Sequence, residues 1–187
     1  MKKRILAMAF AVMMAFGVAA CGGETAQSGV DQAKAEEMLT ELQAYDVTMT
    51  AEDAAEAGMF TIAGGAVVGG QENWDAFMAH EAESVVLCQF SAKGGAMLDY
   101  VTLQEDGSYL VVSDLSRDGY EYEEKEDYQT QVFTEIKVFE NFVIEEGFTP
   151  HTVCVMTNDA ELNEDTFKQY WKDFSYEENG AFMLFVI

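Results

Sequence analysis

The chain has 187 residues, 49% of them hydrophobic, and its 34 acidic residues against ten Lys and Arg give a formal net charge of −24. This acidity argues against a nucleic-acid partner and against binding flat on an anionic membrane, because contacts with phosphates need clustered Lys and Arg. The thirteen Phe and eight Tyr supply enough apolar surface for one packed core.

The N-terminal stretch has the composition of a secretory signal. Lys2, Lys3 and Arg4 precede an uncharged run from Ile5 to Ala20. As a helix this run would measure about 24 Å, which is shorter than the bilayer's hydrocarbon core of about 30 Å. A basic start, a short apolar centre and small residues at the end predict a signal peptide over residues 1–20 that is removed on export. A retained transmembrane helix, the alternative, would need a longer apolar run.

The end of the signal carries a more specific pattern. Val18, Ala19, Ala20 and Cys21 resemble the lipobox of bacterial lipoproteins. The resemblance implies that the sulfur of Cys21 receives a diacylglyceryl group and that cleavage makes Cys21 the new N-terminus. We therefore expect a lipid-anchored protein on the extracytoplasmic face of the cell membrane, with the membrane as a partner through the lipid on Cys21. Ordinary secretion, with cleavage after an A-x-A site, would leave Cys21 unexplained.

A tether and a helix are predicted next. Residues 22–30 are small and polar, as in flexible linkers. An apolar stripe then predicts a helix from Asp31 to about Tyr45, which either docks on the domain or serves as a stalk. The predicted organisation is a lipid-anchored tether and N-terminal helix over residues 21–45, followed by one globular domain over residues 46–187.

The first half of that domain alternates short helices with strands. Thr50 and Asp53 form the pattern of a capping box for a helix that Gly58 can close, and a helix from about Asn73 to Glu83 follows two short apolar pieces. The Asp106–Gly107 pair is a hairpin signal. The predicted strands are Ser84–Phe90, Ala96–Gln104 and Tyr109–Ser113.

The second half begins with an acidic loop, DGYEYEEKED, and then a strand from Tyr128 to Val143, for which a helix is the alternative. A strand over Thr149–Met156 and a helix capped by Asn163 follow. The last segment, AFMLFVI, is apolar throughout. We expect it inside the sheet, because an apolar edge strand promotes aggregation. Trp171 and Phe174 should then cover one of its faces.

Together these elements predict the α+β class, with a mainly antiparallel sheet, helices packed on it and a single domain. The pieces AAEAGMF, VVGGQENWDAF, YVTLQEDGSYLVVSD and LSRDGY, across roughly residues 50–145, resemble a family of uncharacterised domains in lipid-anchored proteins of Gram-positive bacteria. The resemblance implies the same architecture and assigns no catalytic residue. Of the cysteines found near the end of such domains, only Cys154 has a counterpart here.

Most potential sites have a structural interpretation. The segment AGGAVVGGQ has the glycines of a phosphate loop but lacks its Lys and Ser/Thr, so turns and bulges are expected. His80 should be exposed and His151 should start a strand. Neither has a His or Cys at helical spacing, so we predict no transition-metal site and no cofactor. The acidic stretch TNDAELNEDT lacks the glycine and spacing of a calcium loop and instead suits helix capping.

Three further residues are candidates. Cys88 and Cys154 lie in apolar strands, and we expect both to be buried and unpaired. A disulfide is the alternative, since adjacent strands can bring Cβ atoms to about 4 Å. Arg117 is the only arginine after the signal. An ion pair or the capping of carbonyl groups is its expected role, and an anion site is the alternative.

The hypothesis for function is a non-enzymatic, lipid-anchored domain that binds or modulates an unidentified extracytoplasmic protein or ligand. No catalytic residue is assigned. The alternative is an exported hydrolase whose site combines dispersed carboxylates with His151. An enzyme should show a deep pocket with converging polar side chains and perturbed pKa values, whereas a shallow surface favours binding.

Overall fold

Two β-sheets stacked face to face form the protein, with α1, α2 and α4 on their outer faces and α3 packed against the core between them. The computed structural model describes residues 30–91, 94–117, 127–145 and 147–187. The helices are α1 (Gln32–Ala44), α2 (Ala51–Glu56), α3 (Gln71–Met78) and α4 (Glu164–Lys172). The strands are β1 (Phe60–Ala63), β2 (Ala66–Gly69), β3 (Ser84–Phe90), β4 (Ala96–Leu103), β5 (Tyr109–Asp114), β6 (Tyr128–Phe133), β7 (Glu135–Phe142), β8 (His151–Thr157) and β9 (Ala181–Val186).

The larger sheet has six strands in the order β2-β1-β3-β4-β5-β6, and the smaller sheet has three in the order β7-β8-β9. Every pair is antiparallel except β1 and β3, which run parallel. The predicted α+β class with a mainly antiparallel sheet is confirmed. The single sheet of the prediction is, however, two sheets.

Three apolar clusters hold the layers together. The inner cluster lies between the sheets and includes Phe60 and Phe185, whose ring centroids are 5.1 Å apart. Helix α3 adds Trp74 to this cluster. A second cluster joins α1 and α2 to the outer face of the larger sheet, and a third joins α4 to the outer face of the smaller sheet. Alternate residues of the central strands therefore face different clusters, as the strand period requires.

The N-terminal helix, α1, docks on the larger sheet. Met38 and Leu42 of α1 are buried against the larger sheet. Asp31 caps the start of the helix by accepting a hydrogen bond from the backbone N–H of Lys34. Helix α1 is thus packed on the sheet and is not a free stalk.

The prediction of one strand from Tyr128 to Val143 is wrong. The chain bends at Thr134, so that β6 joins the larger sheet and β7 the smaller one. The side chain of Asn158 fixes this corner: it accepts a hydrogen bond from the N–H of Thr134 and donates one to the carbonyl of Val132. The alternation is continuous across the bend, which is why the sequence suggests a single strand.

The prediction of a central C-terminal strand is also wrong, because β9 is an edge strand, and within the described part of the chain it pairs only with β8. Both of its faces are nevertheless covered. Leu184 and Phe185 lie in the inner cluster, and Met183 contacts the third cluster, on the outer face of the smaller sheet. Trp171 packs against the third cluster, as expected. Phe174 does not, since 84% of it is exposed.

Helix α3 is shorter than the predicted Asn73–Glu83. It ends at Met78, and His80 adopts a positive φ of 59°, which stops the helix. Among the described residues, no helix has the length and apolar composition needed to cross a bilayer.

Candidate functional site: the groove between α2 and β2

The glycine-rich segment forms a hairpin and the start of a helix. Gly64 and Gly65, with φ of 60° and 76°, make the two-residue turn between β1 and β2, a conformation that suits glycine. Gly70 has φ of 69° and precedes α3. The predicted turns and bulges are confirmed, including a bulge where β1 pairs with β2.

Gly69 brings helix α2 unusually close to strand β2. A Cβ atom at this position would lie 2.3 Å from the Cβ of Ala55, so only glycine permits the contact. Ala54 of the same helix is fully buried. Small residues on both sides therefore let the helix lie directly beside the edge strand.

A groove of about 450 Å³ follows from this arrangement, lined by Ala51, Glu52, Ala55, Glu56 and Val68. Its floor is apolar, and Val68 is 51% exposed. The groove lies between α2 and Val68 of β2, and β2 is an end strand of the larger sheet. A helix beside an open sheet edge is a recurring arrangement for binding extended peptides.

Negative charge borders the groove. Glu52 and Glu56 are exposed and, among the described residues, pair with no basic side chain. Asp53, by contrast, is used locally, because it accepts hydrogen bonds from the backbone N–H and hydroxyl of Thr50 in the predicted capping box. These bonds lower the pKa of Asp53. The two glutamates are therefore the carboxylates available to a ligand.

A second polar feature lies in the interior. Asp99 of β4 faces the inner cluster and is 3% exposed. Its Oδ1 accepts a 2.6 Å hydrogen bond from the hydroxyl of Ser113. Burial raises the pKa of Asp99 to about 6, although the hydrogen bonds from Ser113 and Gln89 oppose the shift. The amide of Gln89 also donates to the carbonyl of Leu184, so this group links the two sheets.

The predicted hydrolase residues do not converge. His151 is exposed at the start of β8, and among the described residues its side chain has no hydrogen bond or ion pair. His80 is exposed, as predicted. Asp99 is closed to solvent. Within the described part of the chain, no cluster of three His, Cys, Asp or Glu side chains is arranged to hold a metal ion.

The acidic stretch before α4 serves the backbone, as predicted. Asn163 accepts a hydrogen bond from the N–H of Thr166 and caps the helix. Asp159 accepts one from the N–H of Glu161. Glu164 lies in the first turn, where a negative charge is favourable.

Cys88 and Cys154 are both buried and free, which confirms the prediction. Cys88 faces the outer cluster of the larger sheet, whereas Cys154 lies between the sheets, so they are on different layers. Burial raises the pKa of Cys88 to about 12 and also raises that of Cys154. Neither thiol is poised to react.

Arg117 has a structural role, as expected. Its side chain is 4% exposed, and its Nη1 lies 2.8 Å from Oδ2 of Asp114. It donates to the carbonyls of Leu42 and Tyr45, at the C-terminal end of α1. The guanidinium is thus committed to holding the docked helix and is not open to an anion.

Cys21, the predicted lipidation site, lies outside the described residues, as does most of the acidic loop predicted after Arg117. Sequence reasoning missed the groove and Asp99. The alanines of α2 and the glycine at position 69 are weak signals of close packing. The alternation of β4, which places Asp99 on the same face as Val101, is a stronger signal of a buried carboxyl.

No protein-family model, curated protein or solved structure matches this chain. The resemblance over roughly residues 50–145 stays a prediction. The interpretation of the site therefore depends on its geometry alone.

Proposed function

We propose that this protein is a lipid-anchored domain on the extracytoplasmic face of a bacterial membrane, and that it binds a partner there without catalysing a reaction. The location derives from the basic start, the short apolar run and the residues Val18 to Cys21. A diacylglyceryl group with a further acyl chain would hold the protein firmly, since two chains anchor stably where one does so marginally.

The observation that carries the binding role is the groove between α2 and β2. It combines an apolar floor, two free carboxylates and a sheet edge. These are features of a surface that receives another chain. The hydrolase alternative has less support, because Asp99 is buried and, among the described residues, the ring of His151 has no hydrogen-bond or ion-pair partner.

The test of location is Cys21→Ser. We expect metabolic labelling with a fatty acid to mark the full-length wild-type protein and to be lost in the variant, which should leave the membrane fraction or remain an uncleaved precursor. Cys88→Ala, which removes a buried thiol, should keep the label. Unchanged labelling of Cys21→Ser would contradict the anchor.

The test of binding against hydrolysis uses the full-length protein in detergent with peptide, ester and glycoside substrates. We expect no turnover, and peptides that bind should be recovered intact by mass spectrometry. Turnover that disappears in His151→Ala would replace the binding proposal with the hydrolase.

A further inference from the structure

The chemistry of the groove specifies the kind of partner, and this inference rests on the proposed binding function. We propose that the groove binds an extended peptide segment of an extracytoplasmic protein, with Lys or Arg at alternate positions, which adds as a strand to the free edge of β2.

The outer edge of β2 is open. Strand β2 pairs with β1 on one side, and among the described residues no backbone group of residues 66–69 bonds on the other side. An unpaired row of N–H and C=O groups is a template for another strand. A peptide placed there would form ladder hydrogen bonds whatever its side chains.

The edge strands β6, β7 and β9 are each protected. On β9, the carbonyl of Leu184, the extra residue of a bulge, accepts from Gln89. On β6, the carbonyl of Val132 accepts from Asn158. Strand β7 carries Lys137, which contacts Glu135 and the carbonyl of Ala160, and lysine on an edge opposes pairing. Strand β2 is short and carries a bulge in its pairing with β1, but among the described residues no side chain bonds to its backbone.

The groove matches the shape and charge of a basic side chain. Val68 faces α2, so alternate residues of an added strand would also point toward the groove. The aliphatic stem of a lysine or arginine can lie on Ala51, Ala55 and Val68 while its charged end reaches Glu52 or Glu56. The net charge of −24 would attract such a segment at long range.

The test measures fluorescence anisotropy of a labelled eight-residue peptide that alternates lysine and valine, with the full-length protein in detergent. We expect saturable binding that a glutamate–valine peptide does not show. Glu52→Gln with Glu56→Gln should weaken binding about tenfold, in line with two exposed ion pairs. The matched control, Glu36→Gln with Glu41→Gln on α1, makes the same change in charge and should alter binding less than about twofold.

Strand addition is tested with two N-methylated forms of the peptide, one methylated at the lysines and the other at the valines. In an added strand, the backbone N–H groups of alternate residues point toward β2 and the others point away. Methylation of the set that points toward β2 should therefore abolish binding, and methylation of the other set should preserve it. Equal effects of the two sets, or equal losses in both glutamate pairs, would show charge attraction alone and overturn the inference.

The outcomes separate this inference from the proposed function. A protein that is lipid-anchored but binds neither peptide keeps its proposed location and loses this site. A protein whose Cys21→Ser variant is still labelled loses the proposed anchor, whatever the peptide does.

Discussion

Two edge strands of this protein differ in how they meet solvent. Strand β9 is long and apolar, and its faces are covered by the larger sheet and by α4. Strand β2 has four residues, ends in a glycine and borders a groove with two exposed glutamates. The comparison shows that edge position alone does not make a binding surface. An edge is available when little of the core depends on it and nothing covers its backbone.

The largest effect is expected from deletion of Met183–Ile187, which removes most of β9. The deletion removes ladder hydrogen bonds and the buried side chains of Leu184 and Phe185. At about 1.5–3 kcal/mol for each buried side chain, the two side chains contribute about 3–6 kcal/mol. Together with the lost ladder hydrogen bonds, this loss reaches the lower part of a typical stability of about 5–15 kcal/mol. We expect no cooperative thermal unfolding of the truncated protein by circular dichroism.

Phe174→Ser is the control for that deletion, because it removes a large aromatic side chain that is 84% exposed. It should change stability by less than about 0.5 kcal/mol. A truncated protein that melts near the full-length midpoint would show that β9 is peripheral.

Substitution of the buried carboxyl of Asp99 should have a smaller effect on stability, and this effect depends on pH. The pKa of Asp99 is about 6 in the folded protein and about 3.9 in an unfolded chain. Between these values the folded state holds more protons, so the Asp99 contribution to the free energy of unfolding falls as pH rises and is constant above pH 6. Two pKa units correspond to about 3 kcal/mol. Asp99→Asn should therefore gain stability relative to wild type by up to this amount between about pH 4 and pH 7.

Urea unfolding of both proteins across this pH range measures the difference. Asp106→Asn is the control with the opposite sign, because hydrogen bonds from Ser108 lower the pKa of Asp106. Its stabilising contribution is lost as pH falls. If the free energies of unfolding of wild type and Asp99→Asn differ by the same amount at every pH, the role of the buried carboxyl is contradicted.

At the open edge, Gly69→Ala tests the close approach of α2. The added methyl group would meet the Cβ of Ala55 at 2.3 Å, so the helix must shift, at a cost of about 1–3 kcal/mol. Ala66→Val enlarges an exposed side chain of the same strand and should cost less than about 0.5 kcal/mol. Urea unfolding compares the two, and equal effects would remove the reason for glycine at position 69.

Local patterns predicted the elements well. The caps at Thr50 and Asn163 are where the sequence places them, and β3 has the predicted bounds Ser84–Phe90. These features depend on neighbouring residues, whose preferences the sequence displays directly.

Features that depend on distant contacts were harder to predict. The apolar content of β9 indicated burial of both faces, but its place in the sheet depends on β8 and on Gln89. The bend at Thr134 depends on Asn158, which lies in another part of the chain. The groove depends on the contact between Gly69 and Ala55, and no local pattern encodes such a contact.

The most direct test of the account is hydrogen–deuterium exchange of the full-length protein, read by mass spectrometry with and without the lysine–valine peptide. Without peptide, amides of β2 should exchange faster than those of β9, because β2 is short and partly exposed whereas β9 is buried on both faces. With peptide, protection should appear at Ala66–Gly69 and leave Ala181–Val186 unchanged. Protection at β9, or none at β2 when the peptide is bound, would contradict the claim that β2 is the binding edge.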